Sequence, residues 1–199
     1  VLFGRPKSVT AFFRTQRGIE SEVEDTFTVI LQYDGEKKDL LVTVKTCVIT
    51  PLARQLKLLV RGTEGSFVKV SYLHKRILDP VLISEQWQQR STCPQEEQIE
   101  QGLKPLDPGF GQEPDSMEGV LTTYKEFDAS VQKFDPETNK YTGQYPTVTG
   151  RWLGLYENVA DAINGRAEIA VKATESRDAI RIIELARESH EKGVTIPWR

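Results

Sequence analysis

The chain has 199 residues, 38% of them apolar, and carries 29 acidic against 26 basic side chains for a net charge of −3. That length points to one domain with a sizeable core. The charge balance leaves no electrostatic footprint for nucleic acid or an anionic membrane surface, and no apolar run is long enough to span a bilayer.

Two cysteines, Cys47 and Cys93, make no disulfide framework, and there is no Asn-x-Ser/Thr sequon. A reducing, cytoplasmic setting fits. Cys47 falls within a strand pattern and reads as a small core hydrophobe.

Val1-Leu2-Phe3 reads as the last apolar turn of a helix that starts upstream, stopped by Gly4 and Pro6. Strand patterns follow. Val9, Ala11 and Phe13 alternate with Thr10, Phe12 and Arg14. Phe27, Val29, Leu31 and Tyr33 alternate with Thr26, Thr28, Ile30 and Gln32. After the polar turn DGEKKD, residues 40–48 set Val42, Val44, Thr46 and Val48 against Leu41, Thr43, Lys45 and Cys47. In 55–61, Leu56, Leu58 and Val60 are expected inward, and Gly62-Thr63-Glu64-Gly65 makes a tight turn into SFVKV. Period-two alternation with turn-rich joints describes an antiparallel meander.

The second face of this sheet mixes Phe12, Ile30, Leu41 and Leu59 with Thr10, Thr28, Thr43, Lys45, Lys57 and Arg61. Such a surface suits a partner subunit or a substrate-facing wall, or else it is a solvated face with scattered apolar residues.

Residues 70–93 have a poor apolar stripe, with a short helix expected around Val81–Gln89. The stretch 101–119 is Gly- and Pro-rich and irregular. A weak strand is expected at 120–127, and 134–146 reads as a polar loop or hairpin with turn signals at Asp135-Pro136 and Thr142-Gly143. Two helices close the chain. Leu155, Val159, Ala162 and Ile163 mark the first, which Gly165 stops. In the second, Thr174 or Ser176 is the expected N-cap, Ala179, Ile182, Ile183 and Ala186 the buried stripe, and Gly193 the C-cap. Glu184, Arg187, Glu188 and Glu191 read as its solvated face, with His190 a surface residue among them.

Several motifs, taken in order, carry a resemblance. They are the opening LFGRPKSV, RGTEGSFVK (61–69), PQEEQ (94–98), PGFGQEP (108–114), YENVADAI (156–163) and SRDAIRIIELARES (176–189). Together they resemble the C-terminal domain of the Gfo/Idh/MocA family of NAD(P)-dependent oxidoreductases, which act mostly on sugars and polyols. The resemblance implies an α+β fold, an open, mostly antiparallel sheet of about six strands with helices packed on one face. It also implies a substrate-facing domain that associates through the open sheet face as a homodimer, with no nucleic acid or membrane partner. NAD or NADP is implied for the full-length relative, and none for this chain alone.

The family's active-site Lys lies in a Glu-Lys-Pro motif, but here Glu36-Lys37 is followed by Lys38. Its proton-transfer His belongs to an Asp-x-x-x-His stretch just upstream of the segment that Val1 opens, and neither His74 nor His190 matches it. No Gly-x-Gly-x-x-Gly turn is present to admit a pyrophosphate. No catalytic, cofactor-binding or metal-ligating residue is therefore assigned, and an inactive isolated domain is expected.

The candidate substrate contacts are Lys45, on the mixed sheet face, Phe110, within PGFG, and Tyr156, at the start of the penultimate helix. The competing roles are a solvated or interface Lys, a buried loop anchor and a helix-packing Tyr.

In similar sequences the Phe-Val-Lys strand runs within a few residues into Pro-Gln-Glu-Glu, whereas here residues 70–93 intervene. Val70-Ser71 is what a splice donor read in frame would encode, so the segment is a candidate retained intron, testable by sequencing the transcript. A lid loop carrying His74 is the functional alternative. Relatives that act as ligand-sensing regulators, and a stand-alone association module, are further alternatives for the whole chain.

Overall fold

The computed structural model describes residues 2–18, 20–47, 54–72 and 94–199. The expected helix at 81–89, the 70–93 insertion beyond residue 72, His74 and Cys93 lie outside them. The described residues form two compact units, one from 2–47 and 157–199, the other from 54–72 and 94–156.

In the first unit, β1 (Ser8–Arg14), β2 (Thr26–Gln32), β3 (Leu41–Cys47) and β9 (Ile196–Pro197) form an antiparallel sheet of order β3-β2-β1-β9. The register pairs Ala11 with Val29 and Val29 with Val44, so one face carries Val9, Ala11, Val29 and Leu31. Helix α3 (Ala173–Lys192) covers that face with Leu185, Ala186 and half-buried Ile182, and Ile196 and Tyr33 complete the core. Ser189 ties helix to sheet, accepting the Ala11 N–H at 3.0 Å and donating to the Val194 carbonyl at 2.6 Å. Asp25 closes the β1–β2 connection. Its buried carboxylate accepts the backbone N–H groups of Gln16, at 2.9 Å, and Arg17, at 3.0 Å.

The α3 stripe differs from expectation. Ile183 and Ala179 are exposed, and the buried positions are Leu185, Ala186 and Ser189. The helix starts earlier than Thr174 or Ser176 would set it, because the Glu175 carboxylate accepts the Lys172 N–H and supplies the cap from inside the first turn. Gly193 ends it in the left-handed conformation, φ 66°, as expected. His190 is half-buried, its ring edge-on to Phe13 at 5.5 Å. Cys47 lies on edge strand β3, beside the Thr26 hydroxyl at 3.5 Å, and not in the core. Leu2 and Phe3 are not helical, although Gly4 has the positive φ of a helix stop.

The second unit is a five-stranded antiparallel sheet of order β4-β5-β6-β8-β7. Its strands are β4 (Arg54–Arg61), β5 (Gly65–Tyr72), β6 (Gly119–Thr123), β7 (Gln132–Asp135) and β8 (Lys140–Tyr145). The hairpin expected in 134–146 is β7–β8, and Asn139 takes the left-handed turn position at φ 54°. Two further helices are α1 (Pro94–Glu100) and α2 (Leu153–Ile163).

The chain is α+β and antiparallel, as the alternation indicated. Its nine described strands fall into two sheets, and they exceed the expected six because the polar β7 and β8 and the two-residue β9 pair as strands too. In β4 the inward set Leu56, Leu58 and Val60 is not realised. A bulge between Leu56 and Leu58 breaks the period, placing Leu56 opposite Val70 but Leu58 opposite Lys69, and all three are exposed. On α2, Leu155, Val159 and Ile163 are likewise exposed.

Candidate functional site

In the second unit, strand periodicity sends Phe67 and Lys69 of β5 to one face and Val68 and Val70 to the other. Lys69 is buried there. Its Nζ donates to Glu113 and, at 2.6 Å, to Thr147 Oγ1. Lys57, the residue at the β4 bulge, donates to the second carboxylate oxygen of Glu113 at 3.1 Å. Burial pushes the Glu113 carboxyl up, but the hydrogen bonds from Lys69 and Lys57 outweigh it and hold the group below the usual carboxylate range.

The loop that delivers Glu113 is held from α1. Gln98 Oε1 accepts the Gly111 N–H at 2.6 Å, and its Nε2 donates to the Gly109 carbonyl at 3.0 Å. Gly111 has φ 79°, and its carbonyl accepts the Gly150 N–H at 3.0 Å. A side chain there would strike the Gly150 oxygen, so only glycine lets the two backbones meet. Three of the sequence landmarks thus meet at one place: the strand SFVK, the helix PQEEQ and the loop PGFGQEP.

Lys69 and Glu113 were not among the expected site residues. The available signal was a lysine at an apolar-phase position next to Phe67, together with a recurring motif that holds the glutamate. The cluster's chemistry is that of an orienting charge cluster. Two ammonium groups share one ionised carboxylate, which leaves neither a free base nor a nucleophile. Among the described residues no group of three or more His, Cys, Asp or Glu is placed to hold a metal ion.

The three expected substrate contacts are not brought together. Lys45 is exposed on β3, on the open face of the first unit, opposite Thr28. Phe110 is buried in the second unit, with its ring edge-on to Trp152 at 6.1 Å. Tyr156, on α2, is 71% exposed. The open face of the first sheet also exposes Phe12 and Leu41, at 51% and 60%, with half-buried Ile30 between. A mixed face of that kind suits association with another protein surface.

A family model described as the oxidoreductase family, C-terminal alpha/beta domain (GFO_IDH_MocA_C), matches residues 1–197. The chain belongs to this family. Among its relatives is the uncharacterized oxidoreductase C115.03 of Schizosaccharomyces pombe, 32% identical over 98% of this chain and 47% of the relative. Another is the scyllo-inositol 2-dehydrogenase (NADP(+)) IolW of Bacillus subtilis, 31% identical over 98% of this chain and 44% of the relative. The solved structure of YvaA from Bacillus subtilis superposes with a TM-score of 0.74 at 29% identity, covering all of this chain and 46% of that one. The Gfo/Idh/MocA C-terminal domain seen here therefore spans a little under half the length of the relatives it matches. No helix among the described residues is long and apolar enough to cross a membrane.

Proposed function

We propose that this chain is the substrate-facing and self-associating domain of an NAD(P)-dependent oxidoreductase acting on a sugar or polyol hydroxyl, and that it does not turn over by itself. The observation that carries the reading is the family match over residues 1–197. The relationship to an NADP(+)-dependent inositol dehydrogenase adds the substrate class. Hydride transfer needs a nicotinamide held against the alcohol carbon. The sequence has neither the glycine turn that would admit the pyrophosphate nor the Glu-Lys-Pro motif.

In this reading the exposed Tyr156 is the candidate contact to the sugar hydroxyls or to the domain that holds them, Phe110 anchors its loop from within the second unit, and Lys45 belongs with the open face of the first. The open face bearing Phe12, Ile30 and Leu41 is the homodimer contact, and the cytoplasm is the compartment.

The test is titration of the purified chain with NADH and NADPH, followed by cofactor fluorescence, together with an inositol oxidation assay. No binding that depends on the nicotinamide and no turnover are expected. A saturable change in nicotinamide fluorescence at micromolar NADH or NADPH that excess AMP does not compete away contradicts the reading, and so does inositol-dependent nicotinamide reduction.

A further inference from the structure

In the first unit, a hollow of about 420 Å³ lies between the N-terminal segment, the outer face of α3 and the residues that follow β9. Four guanidinium groups border it, those of Arg5, Arg177, Arg181 and Arg199, against the carboxylates of Asp178 and Glu184. Arg5 is fixed on two sides. Its Nε donates to Asp178 Oδ2 at 2.6 Å, and its guanidinium carbon lies 5.7 Å from the centre of the Trp198 ring. Arg177 holds the other oxygen, Oδ1, through Nε at 3.2 Å and a terminal nitrogen at 2.9 Å. Hydrogen bonds from Arg5 and Arg177 keep the Asp178 carboxyl below its ordinary range, so it stays ionised as the orienting group at neutral pH.

This arrangement commits the Nε of Arg5 and leaves its terminal N–H pair unengaged. A guanidinium is a planar fork that matches a phosphate bidentately, and one packed on an aromatic ring and tethered by a carboxylate has little rotamer freedom left to lose. Arg181 is taken up by Glu184 at 2.8 Å, whereas Arg199 makes no hydrogen bond among the described residues. Ile180 and the half-buried Trp198 supply apolar wall beside these donors.

We propose that this hollow binds the phosphate group of a small ligand, with the terminal N–H pair of Arg5 as the recognising fork and Arg199 as the second donor. The phosphate comes either as the free ion or on a nucleotide whose base packs against Trp198 and Ile180. The site lies wholly within the first unit and does not depend on the redox reading above.

The test is titration of the chain at low ionic strength with inorganic phosphate and, separately, with AMP, against sodium chloride of matched ionic strength. The readouts are the Trp198 indole N–H and the backbone amides of 177–184 by NMR. Saturable shifts are expected with phosphate and not with chloride. Arg5→Lys preserves charge but removes the fork, and should weaken binding about tenfold or more. Arg166→Gln, at the ion pair with Asp161, should leave affinity unchanged.

Tighter binding of AMP than of phosphate identifies a nucleotide as the source, and equal affinity identifies the free ion. Shifts reproduced by chloride overturn the site. So does wild-type affinity in Arg5→Lys, with melting curves of both variants establishing that they are folded.

Discussion

The ring of Phe67 occupies the space where a side chain at residue 119 would begin. A methyl group built on Gly119 would sit 1.9 Å from Phe67 Cζ and 2.4 Å from Cε2. The missing side chain at the start of β6 is therefore what admits the aromatic ring of β5, and both residues lie on the face that Lys69 shares.

Gly119→Ala should destabilise the chain by about 1–3 kcal/mol, the usual cost of overpacking an ordered site. Urea denaturation reads it as a lower midpoint at an unchanged slope. Adding Phe67→Leu should recover part of the loss, because the two positions compete for one volume and their effects are not additive.

Lys69 and Glu113 form a pair whose side chains are 11% and 6% exposed. Glu113→Gln strands the buried Lys69 and should cost about 3–5 kcal/mol, whereas Lys69→Met leaves Glu113 its second ammonium, that of Lys57, and should cost less. The double variant Lys69→Met/Glu113→Leu should lose less than Glu113→Gln alone, since no buried charge is left over. A double variant as unstable as the sum of the singles would show that the two do not act as a pair.

The same carboxylate sets an acid response. Its folded pKa lies below the unfolded value of about 4.3. The stability it contributes is therefore complete above that value and is lost as pH falls through the folded one. Asp25 acts with the same sign: burial raises its carboxyl, but the N–H groups of Gln16 and Arg17 lower it further. Urea midpoints measured from pH 6 down to pH 3 should fall in the wild type. They should fall less steeply in Glu113→Gln, which starts lower.

Ser189→Ala should cost about 1–3 kcal/mol, because it leaves the Ala11 N–H without its partner in the packed layer between sheet and helix. Hydrogen exchange at the Ala11 amide should accelerate beyond the global loss. Exchange at Val29, paired with Ala11 across the sheet but not bonded to this hydroxyl, should track the global stability alone.

If the open face of the first sheet is the dimer contact, Phe12→Arg combined with Leu41→Asp should give a monomer by analytical ultracentrifugation with an unchanged melting curve at low concentration. A variant that remains dimeric places the contact elsewhere.

Legibility of the sequence followed the regularity of each element. In β1 and β2, a strict period of two meets a single covering helix, so Val9, Ala11, Val29 and Leu31 could be assigned to the core from alternation alone. In β4 the same rule misplaced Leu56, Leu58 and Val60: a bulge puts Leu56 and Leu58 out of phase, and on this edge strand both sets of residues from 56 to 61 are exposed. On α3, Ile183 has the composition of a core residue. The buried stripe is Ile182, Leu185, Ala186 and Ser189, spaced three and four apart, and Ile183 falls beside it on the exposed side.

The Lys69–Glu113 pair was hidden by distance along the chain. Its members are 44 residues apart, and they meet where Gln98 of α1 holds the glycine loop that carries Glu113. Phe110, which the sequence leaves as a substrate contact or a buried loop anchor, has a buried ring set edge-on to Trp152.

The side chain of Gln98 presents opposite polarities at its two ends, an acceptor to Gly111 and a donor to Gly109. Glutamate matches it in size but has a charged carboxylate oxygen where the amide NH2 was, and that oxygen would face the Gly109 carbonyl lone pair to lone pair. Spontaneous hydrolysis of this one amide would therefore remove one of the ties on the loop that carries Glu113 and loosen it, a form of chemical ageing that leaves the mass of the chain almost unaltered.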